Sequence, residues 1–158
     1  MLDSVEGTLG LAGASLIAGV LSGLVPVING ELYLVGAVLL VDDVWSALAL
    51  ALLLSVGQMI AKAILYQAAR RATSTKPGSD KPKGKLATKL ETARERVAKW
   101  KNKPLTILVM SSTLGFPPLY IVTLVAGIME IPFITFMTIG IIGRIVRFVI
   151  IALITYYA

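Results

Sequence analysis

Residues 24–41, LVPVINGELYLVGAVLLV, decide the fold of this chain, and residues 116–128, FPPLYIVTLVAGI, echo them. In each stretch a proline stands ten residues before a glycine: Pro26 before Gly36, and Pro117 before Gly127. A long apolar segment follows each stretch. We interpret the chain as two copies of one unit, a re-entrant helical hairpin followed by a transmembrane helix.

The composition is that of an integral membrane protein. Of the 158 residues, 56% are apolar and only 15% are charged, a balance too apolar for a soluble domain. A full crossing takes about 20 apolar residues, so the chain has room for about four to six membrane elements. Cysteine and histidine are both absent, which removes disulfides, Cys/His metal sites and a Ser-His-Asp triad. We therefore expect an all-α membrane protein that has no cofactor or metal and is not an enzyme.

The first apolar run, residues 8–41, is too long for one straight crossing. As a helix it would measure about 51 Å, against a hydrocarbon core of about 30 Å. Pro26, Asn29 and Gly30 place a break inside it, because proline removes a backbone donor and Asn-Gly favours a turn. Two solutions remain, a re-entrant hairpin or a tilted helix followed by a half-helix. The start of the chain, MLDSVEG, has no basic residue, so we expect no cleavable signal peptide.

A basic stretch separates the two halves. Residues 44–69 form a predicted transmembrane helix that completes the first membrane repeat, 1–71. Between 70 and 103 there are twelve lysines and arginines against three acids, so the positive-inside rule makes this stretch cytoplasmic. Within the linker, 72–104, residues 85–103 carry apolar side chains at alternating steps of four and three, which predicts a basic amphipathic helix. That helix either lies on the anionic leaflet or is a solvated spacer.

The second membrane repeat, 105–158, follows the same plan in the opposite sense. Pro117 and Pro118 divide the apolar run 105–129 into halves that reach only about 18 Å each as helix, so we predict a second re-entrant hairpin. A transmembrane helix over 131–157 follows. With the basic linker inside, the first hairpin opens outward and the second inward. The halves then form an inverted repeat whose broken elements meet near the membrane midplane.

Four charged residues lie inside the apolar segments: Glu31, Lys62, Arg144 and Arg147. Each costs on the order of 3 kcal/mol at a helix centre unless it finds a partner or a water-filled cavity. Glu31 either caps the half-helix after the first break or faces a polar path. Arg144 and Arg147 share one helix face. Either can pair with Glu31 or Glu130, or bind a lipid phosphate through its planar guanidinium. We expect Lys62 to snorkel toward the inner surface, and Arg147 can snorkel toward the outer one.

Asn29, Tyr33 and Tyr120 complete the predicted lipid path. The two tyrosines follow the two breaks and are placed to line a path between them, although membrane tyrosines are mostly structural. Asn29 can satisfy backbone groups that the break sets free. Gly19 and Gly23 form a small-xxx-small pair suited to close helix packing.

Two stretches carry a resemblance to a known family. One is VPVINGELYLVGAVLL, similar to a P-x-x-P-G-[DE] re-entrant motif, with Glu31 on the acidic position and Asn29 in place of a proline. The other is FPPLYIVTLVAGIMEIPFITFMTIGIIGRIVRF, similar to a proline turn, an Ala-Gly, a Phe and then Gly-Arg-x-x-Arg-Phe. In both, the chain resembles the DedA family, also called the VTT or SNARE-associated Golgi protein family, and in particular its small bacterial members. The match covers most of residues 20–155.

The resemblance implies two re-entrant hairpins that face one another within a helical bundle. It implies an activity of moving lipids between leaflets, by phospholipid scrambling in the eukaryotic relatives and by undecaprenyl phosphate or phosphatidylethanolamine translocation in bacterial ones. Two features depart from the family pattern. Residues 19–25 lack a further acid that many bacterial members carry, and Leu119 and Tyr120 stand where many have an arginine. Proton coupling and tight phosphate recognition are therefore not implied.

We predict a lipid transporter or scramblase of the inner (cytoplasmic) membrane that moves phospholipid or polyprenyl-phosphate headgroups. Its expected partners are membrane lipids, anionic ones among them, and not nucleic acid. The alternatives are a proton-coupled exporter of small cations and a structural membrane protein whose basic loop binds lipid. The sequence leaves a homo-oligomer open.

Overall fold

Every regular element in the described part of the chain is a helix, as the all-α prediction requires. The structure, a computed structural model, describes residues 5–74, 88, 92, 95, 99 and 104–158. The helices of these ranges are α1 (Val5–Leu24), α2 (Gly30–Val38), α3 (Val44–Ser74), α4 (Pro104–Leu114), α5 (Leu119–Ile128) and α6 (Phe133–Tyr157).

Three of these helices are long and apolar enough to cross a membrane, judged by length and composition. They are α1 over Glu6–Leu24, α3 over Val44–Ala72 and α6 over all its length. Their outward faces carry exposed aliphatic side chains such as Ile17 (61% exposed), Ile64 (54%) and Ile150 (51%). Such faces suit hydrocarbon and not water. The prediction of a membrane protein is confirmed.

The predicted amphipathic helix over 85–103 lies outside the described residues except at four positions. Thr88, Thr92, Glu95 and Lys99 are helical and exposed, and the Thr92 hydroxyl donates to the Thr88 carbonyl over 2.9 Å.

The first break separates α1 from α2 at residues 25–29. Asn29 ends it as the N-cap of α2, where its Oδ1 accepts from the backbone N–H of Glu31 at 2.9 Å and of Leu32 at 3.3 Å. These bonds satisfy donors that the helix start leaves free. The first apolar run is thus a 20-residue helix and a nine-residue helix on either side of the break, which agrees with either of the two solutions that the sequence left open.

The second break separates α4 from α5 at residues 115–118. Gly115 begins it with a φ of 78°, a left-handed conformation that glycine adopts at little cost. The Phe116–Pro117 peptide is cis, and Pro118 is the N-cap of α5. The Ser111 hydroxyl donates to the Pro117 carbonyl, so a side chain from α4 satisfies a backbone acceptor of the break.

In the first half of the chain, α1 and α3 run parallel in close contact. Gly19 lies against Gly57, and Gly23 against Ala61, so contacts on the two helices advance together. A Cβ added at Gly23 would lie 2.5 Å from the Ala61 Cβ, which explains why the small-xxx-small pair is needed here. The half-helix α2 turns back after the first break, and its Leu34 packs into a core with Leu50 and Leu54 of α3.

In the second half, α4 and α6 are also parallel. Gly143 lies against Ser112, and Gly115 lies against Arg147, so these contacts advance together as well. The two halves are joined by α3 and α6, which run in opposite directions: Gly140 of α6 meets Met59, while at the far end the Tyr156 hydroxyl donates to the Asp42 carbonyl over 3.0 Å.

Aromatic side chains fasten the other end of α6 to α3. Tyr66 is fully buried, and its ring centroid lies 5.3 Å from that of Phe133 and 5.1 Å from that of Phe136. Its hydroxyl donates to the Ile131 carbonyl in the link before α6. The buried ring therefore has its polar tip satisfied, and the link between α5 and α6 is held at this end of the bundle.

Candidate functional site

An ion pair joins the two halves of the chain between the breaks. Arg147 on α6 donates from Nε to Glu31 Oε1 on α2 over 2.7 Å, and its Nη2 also contacts this oxygen. Its Nη1 donates to the Thr113 carbonyl at the end of α4 over 3.2 Å. One guanidinium thus connects α2, α4 and α6. The pairing of Arg147 with Glu31 is one of the alternatives that the sequence left open.

The first break presents Glu31 to this arginine. Because the Asn29 side chain caps α2, Glu31 is not needed as the cap and its carboxylate extends away from the helix start. The positive end of the helix dipole still favours a carboxylate in the first turn. The side chain is 36% exposed, against 21% for Arg147, so the pair is partly accessible.

Gly115 lets Arg147 cover the second break. A Cβ added at Gly115 would lie 2.6 Å from Nη1 and 2.9 Å from Cζ of Arg147. A larger residue there would push the guanidinium away from the break. The sequence argument missed Gly115, and the only signal for it was a glycine directly before Phe-Pro-Pro.

Arg144 lies one helical turn before Arg147 and is more deeply buried. It is 9% exposed, its Cζ lies 5.8 Å from the centroid of the Phe148 ring, and it is within electrostatic range of Glu31 and Arg147. Its Nε is buried and has no hydrogen-bond partner among the described residues. We call Glu31, Arg144 and Arg147 the central site.

The α1–α3 contact contains a second group of buried polar side chains. Gln58 on α3 donates from Nε2 to the Ser22 hydroxyl over 2.9 Å, while its Oε1 is buried without a partner in the described ranges. Lys62, one turn further along α3, is 4% exposed and donates to the Gly23 carbonyl over 2.6 Å. The prediction that Lys62 snorkels toward water was wrong, because a carbonyl at the end of α1 accepts a hydrogen bond from its ammonium inside the protein.

Positive charge exceeds negative charge in this region. Lys62, Arg144 and Arg147 are the only basic residues of the sequence outside 70–103, and Arg144 is within electrostatic range of both Lys62 and Arg147. Glu31 is the one carboxylate that forms an ion pair with them in the described ranges. The region therefore favours an anion over a cation.

A cavity of about 340 Å³ lies beside this region. Both breaks contribute to its wall, through Pro26 and Pro118, together with Tyr120 of α5. Thr88 and Thr92 of the linker border it as well. One proline from each predicted break, Pro26 and Pro118, thus lies at the same cavity.

The remaining predicted residues are distributed more widely. The Tyr33 hydroxyl pairs with that of Ser15 at 3.1 Å, on the side of α1, whereas the Tyr120 ring lies 5.2 Å from Lys62 Nζ. The two tyrosines therefore do not occupy equivalent places. Glu130 is exposed and has a φ of 53° in the link between α5 and α6. Among the described ion pairs, Arg147 has Glu31 as its partner and not Glu130.

The break and repeat glycines also differ in role. Gly30 is buried where a Cβ would lie 2.7 Å from Gln58 Nε2. Gly127 packs α5 onto α3, because a Cβ there would lie 2.7 Å from the Tyr66 carbonyl oxygen. Gly36 is exposed, and nothing would meet its Cβ within 4 Å. The Pro-x9-Gly match therefore does not correspond to matched packing.

Comparison with known proteins gives one match. The family model described as the VTT domain matches residues 13–157, a range that contains both breaks and the central site. No curated protein and no solved structure matches the chain.

Proposed function

The chain belongs to the VTT-domain family, and on that premise we propose that it moves lipid headgroups between the two leaflets of a membrane through the central site. The substrate class is a lipid with a phosphate in its headgroup, either a phospholipid or a polyprenyl phosphate. The observation that carries the proposal is Arg144: a buried guanidinium whose Nε lacks a partner among the described residues, beside a second arginine already held by Glu31. Phosphate oxygens fit a guanidinium through paired hydrogen bonds.

The breaks, in this proposal, are the tips of two re-entrant hairpins. Support comes from their distance to the helix ends. Gly23, in the last turn of α1 before the first break, lies beside Ala61, nine residues or about 14 Å before Arg70 on α3. The second break lies beside Arg147, ten residues or about 15 Å before the end of α6 at Tyr157. Both tips would then lie inside the bilayer and not at its surfaces.

The halves would form an inverted repeat. In each half the first helix runs parallel to the last and meets it at a glycine, Gly57 on α3 and Gly143 on α6. Because α3 and α6 run in opposite directions, the halves enter the membrane in opposite senses. Paired broken helices of this kind meet at the substrate sites of many transporters.

The membrane orientation follows from charge. Residues 70–103 hold twelve basic residues, and we place them in the cytoplasm by the positive-inside rule, with the protein in the inner (cytoplasmic) membrane. The starts of α1 and α3 are the ends away from these basic residues, and they carry Glu6, Asp42 and Asp43. These three acids would face outward.

In the mechanism that we propose, the phosphate of a headgroup binds Arg144 and competes with Glu31 for Arg147. Release of Glu31 loosens the link between α2 and α6 and opens a polar passage between the hairpin tips. Most of each acyl chain remains in the bilayer, beside the exposed aliphatic faces. The headgroup crosses only the short distance between the tips, where charged groups replace part of its hydration.

The excess of positive charge argues against the alternative of a small-cation exporter. A cation entering the central site would meet Arg144 and Arg147 with only Glu31 to attract it, and Glu31 is already bonded to Arg147. At an effective dielectric constant of about 20, unit charges 4 Å apart interact by about 4 kcal/mol. Repulsion of this size would disfavour a cation.

The test is flipping of fluorescent lipids with defined headgroups in reconstituted vesicles, with and without a pH gradient. We expect Arg144→Gln and Glu31→Ala to slow flipping at least tenfold, because each removes one side of the charge arrangement. Arg71→Gln, at the exposed end of α3, is the control and should keep the wild-type rate. Wild-type flipping in both central-site variants would exclude this path.

A further inference from the structure

Lys62 is the buried cation that the central site leaves unused. It lies on α3 one turn after Gln58, and its ammonium donates to the Gly23 carbonyl over 2.6 Å. Gly23 is in the last turn of α1, where carbonyls lack helical partners and the dipole favours a cation. This contact occupies one of the three donors of the ammonium.

Tyr120 contacts both Lys62 and the cavity at the breaks. Its ring centroid lies 5.2 Å from Lys62 Nζ, and the same side chain lines the cavity of about 340 Å³ with Ile121 and Leu124 of α5. Pockets of about 300–1,000 Å³ hold small molecules. An apolar chamber and a buried cation thus share one aromatic wall.

The described surroundings do not neutralise the charge of Lys62. A carbonyl and an aromatic ring stabilise an ammonium only in part, it forms no salt bridge with a described carboxylate, and Arg144 repels it. A buried cation without a counter-ion is costly in a membrane and marks a functional position. An anion bound at this position would remove the cost.

We propose that Lys62 and the cavity form a second lipid site, distinct from the central site, that takes the phosphate of an anionic lipid at the ammonium and part of its hydrocarbon in the chamber. The inference rests on the proposed function and deepens it. A headgroup would pass between the arginines and Lys62, with Tyr120 at the boundary. Lys62 would then set the preference for anionic over zwitterionic headgroups.

The first test compares the flipping rates of phosphatidylglycerol and phosphatidylcholine in one preparation. Lys62→Met keeps the length of the side chain and removes its charge, and we expect the ratio of the two rates to fall about tenfold. Lys62→Arg should retain most of the ratio, because the charge remains. A merely structural lysine would lower both rates together, so an unchanged ratio in Lys62→Met overturns the proposal.

A second test measures binding and does not depend on flipping. The chain has no cysteine, so Ile121→Cys places a single thiol in the cavity wall. In detergent micelles, added dioleoyl phosphatidylglycerol should slow labelling of this thiol by a maleimide severalfold, whereas inorganic phosphate should not. Equal protection by phosphate, or none by the lipid, would refute the lipid site even if Lys62→Met does not fold.

The two tests separate this inference from the proposed function. If Arg144→Gln and Glu31→Ala both flip lipid at the wild-type rate, the central path fails whatever the thiol reports. If Arg144→Gln is slow while Lys62→Met keeps the wild-type headgroup ratio and the lipid does not protect the thiol of Ile121→Cys, only the second site fails.

Discussion

Loss of the Glu31–Arg147 pair should weaken the contact between the two halves of the chain. We consider three variants, Glu31→Gln, Arg147→Gln and the double variant. Each single change removes one charge of a contact with an Nε–Oε1 distance of 2.7 Å and leaves the other charge in place. Arg147 also loses its bond to the Thr113 carbonyl when it is replaced.

The size of the coupling follows from geometry and exposure. Hydrogen bonds to charged groups contribute about 1.5–3 kcal/mol, and cycles on polar pairs in one membrane protein average about 0.6 kcal/mol. The Glu31 side chain is 36% exposed, so screening reduces the upper figure. We expect a coupling free energy of about 1–2 kcal/mol.

The single variants should not be equivalent. Glu31→Gln leaves Arg144 and Arg147 without the carboxylate that balances them, and should cost about 2–3 kcal/mol of unfolding free energy, since breaking fully buried pairs costs about 3–5 kcal/mol. After Arg147→Gln, Arg144 is still within electrostatic range of Glu31. That variant should cost about 1–2 kcal/mol.

The assay is reversible unfolding in mixed micelles with increasing SDS, followed by circular dichroism. Glu130→Gln, an exposed carboxylate in the α5–α6 link, is the matched control and should change the unfolding free energy by less than about 0.5 kcal/mol. A coupling below about 0.3 kcal/mol, which is the error of additivity, would refute the pair as a link between halves. An Arg147→Gln cost above that of Glu31→Gln would refute the charge argument.

Two further predictions concern packing and capping. Gly127→Ala should destabilise the protein by about 1–3 kcal/mol, because its Cβ would meet the Tyr66 carbonyl oxygen at 2.7 Å, whereas Gly36→Ala should stabilise it by up to about 1 kcal/mol in an open helix position. Changes of the same sign, or of reversed signs, in the unfolding free energy measured in SDS would contradict this. Hydrogen bonds from Ser46 hold the pKa of Asp43 below its ordinary value, so the charged form stabilises the start of α3 at neutral pH and this benefit is lost as the pH falls through that lowered pKa. Thermal unfolding of Asp43→Ala should therefore begin at a lower temperature than wild type at pH 7, whereas Asp43→Asn should stay close to wild type. The difference in unfolding temperature between Asp43→Ala and wild type should disappear in strong acid, and a difference that persists there would exclude the cap.

Local chemistry made the breaks predictable from sequence. Proline cannot donate to a preceding carbonyl, and an asparagine before glycine caps a helix, so Pro26 and Asn29 fix the first break with no knowledge of the rest of the fold. Helix length works in the same way, because the apolar runs must match a bilayer of about 30 Å. These properties depend on neighbours in the chain.

Partner choice was not predictable, because it depends on how helices from distant parts of the sequence are placed. Arg147 had Glu31 and Glu130 as equal candidates, and the packing of α2 against α6 decides for Glu31. For Lys62, distance along the sequence pointed to the inner surface. Its partner is instead the end of α1, which reaches it because Gly23 packs against Ala61.

If the halves form an inverted repeat, there is a physical reason why some corresponding positions carry similar residues and others do not. Gln58 and Arg144 occupy corresponding places, each directly after a glycine at which its spanning helix meets the first helix of its half. Two identical halves would bring like charges together near the midplane, where a low dielectric constant makes repulsion strong. A neutral amide in one half beside a guanidinium in the other avoids this, and places the carboxylate of Glu31 opposite the arginines. The positions that shape the backbone can therefore stay alike, while those that carry charge must differ for an ion pair to form between the halves.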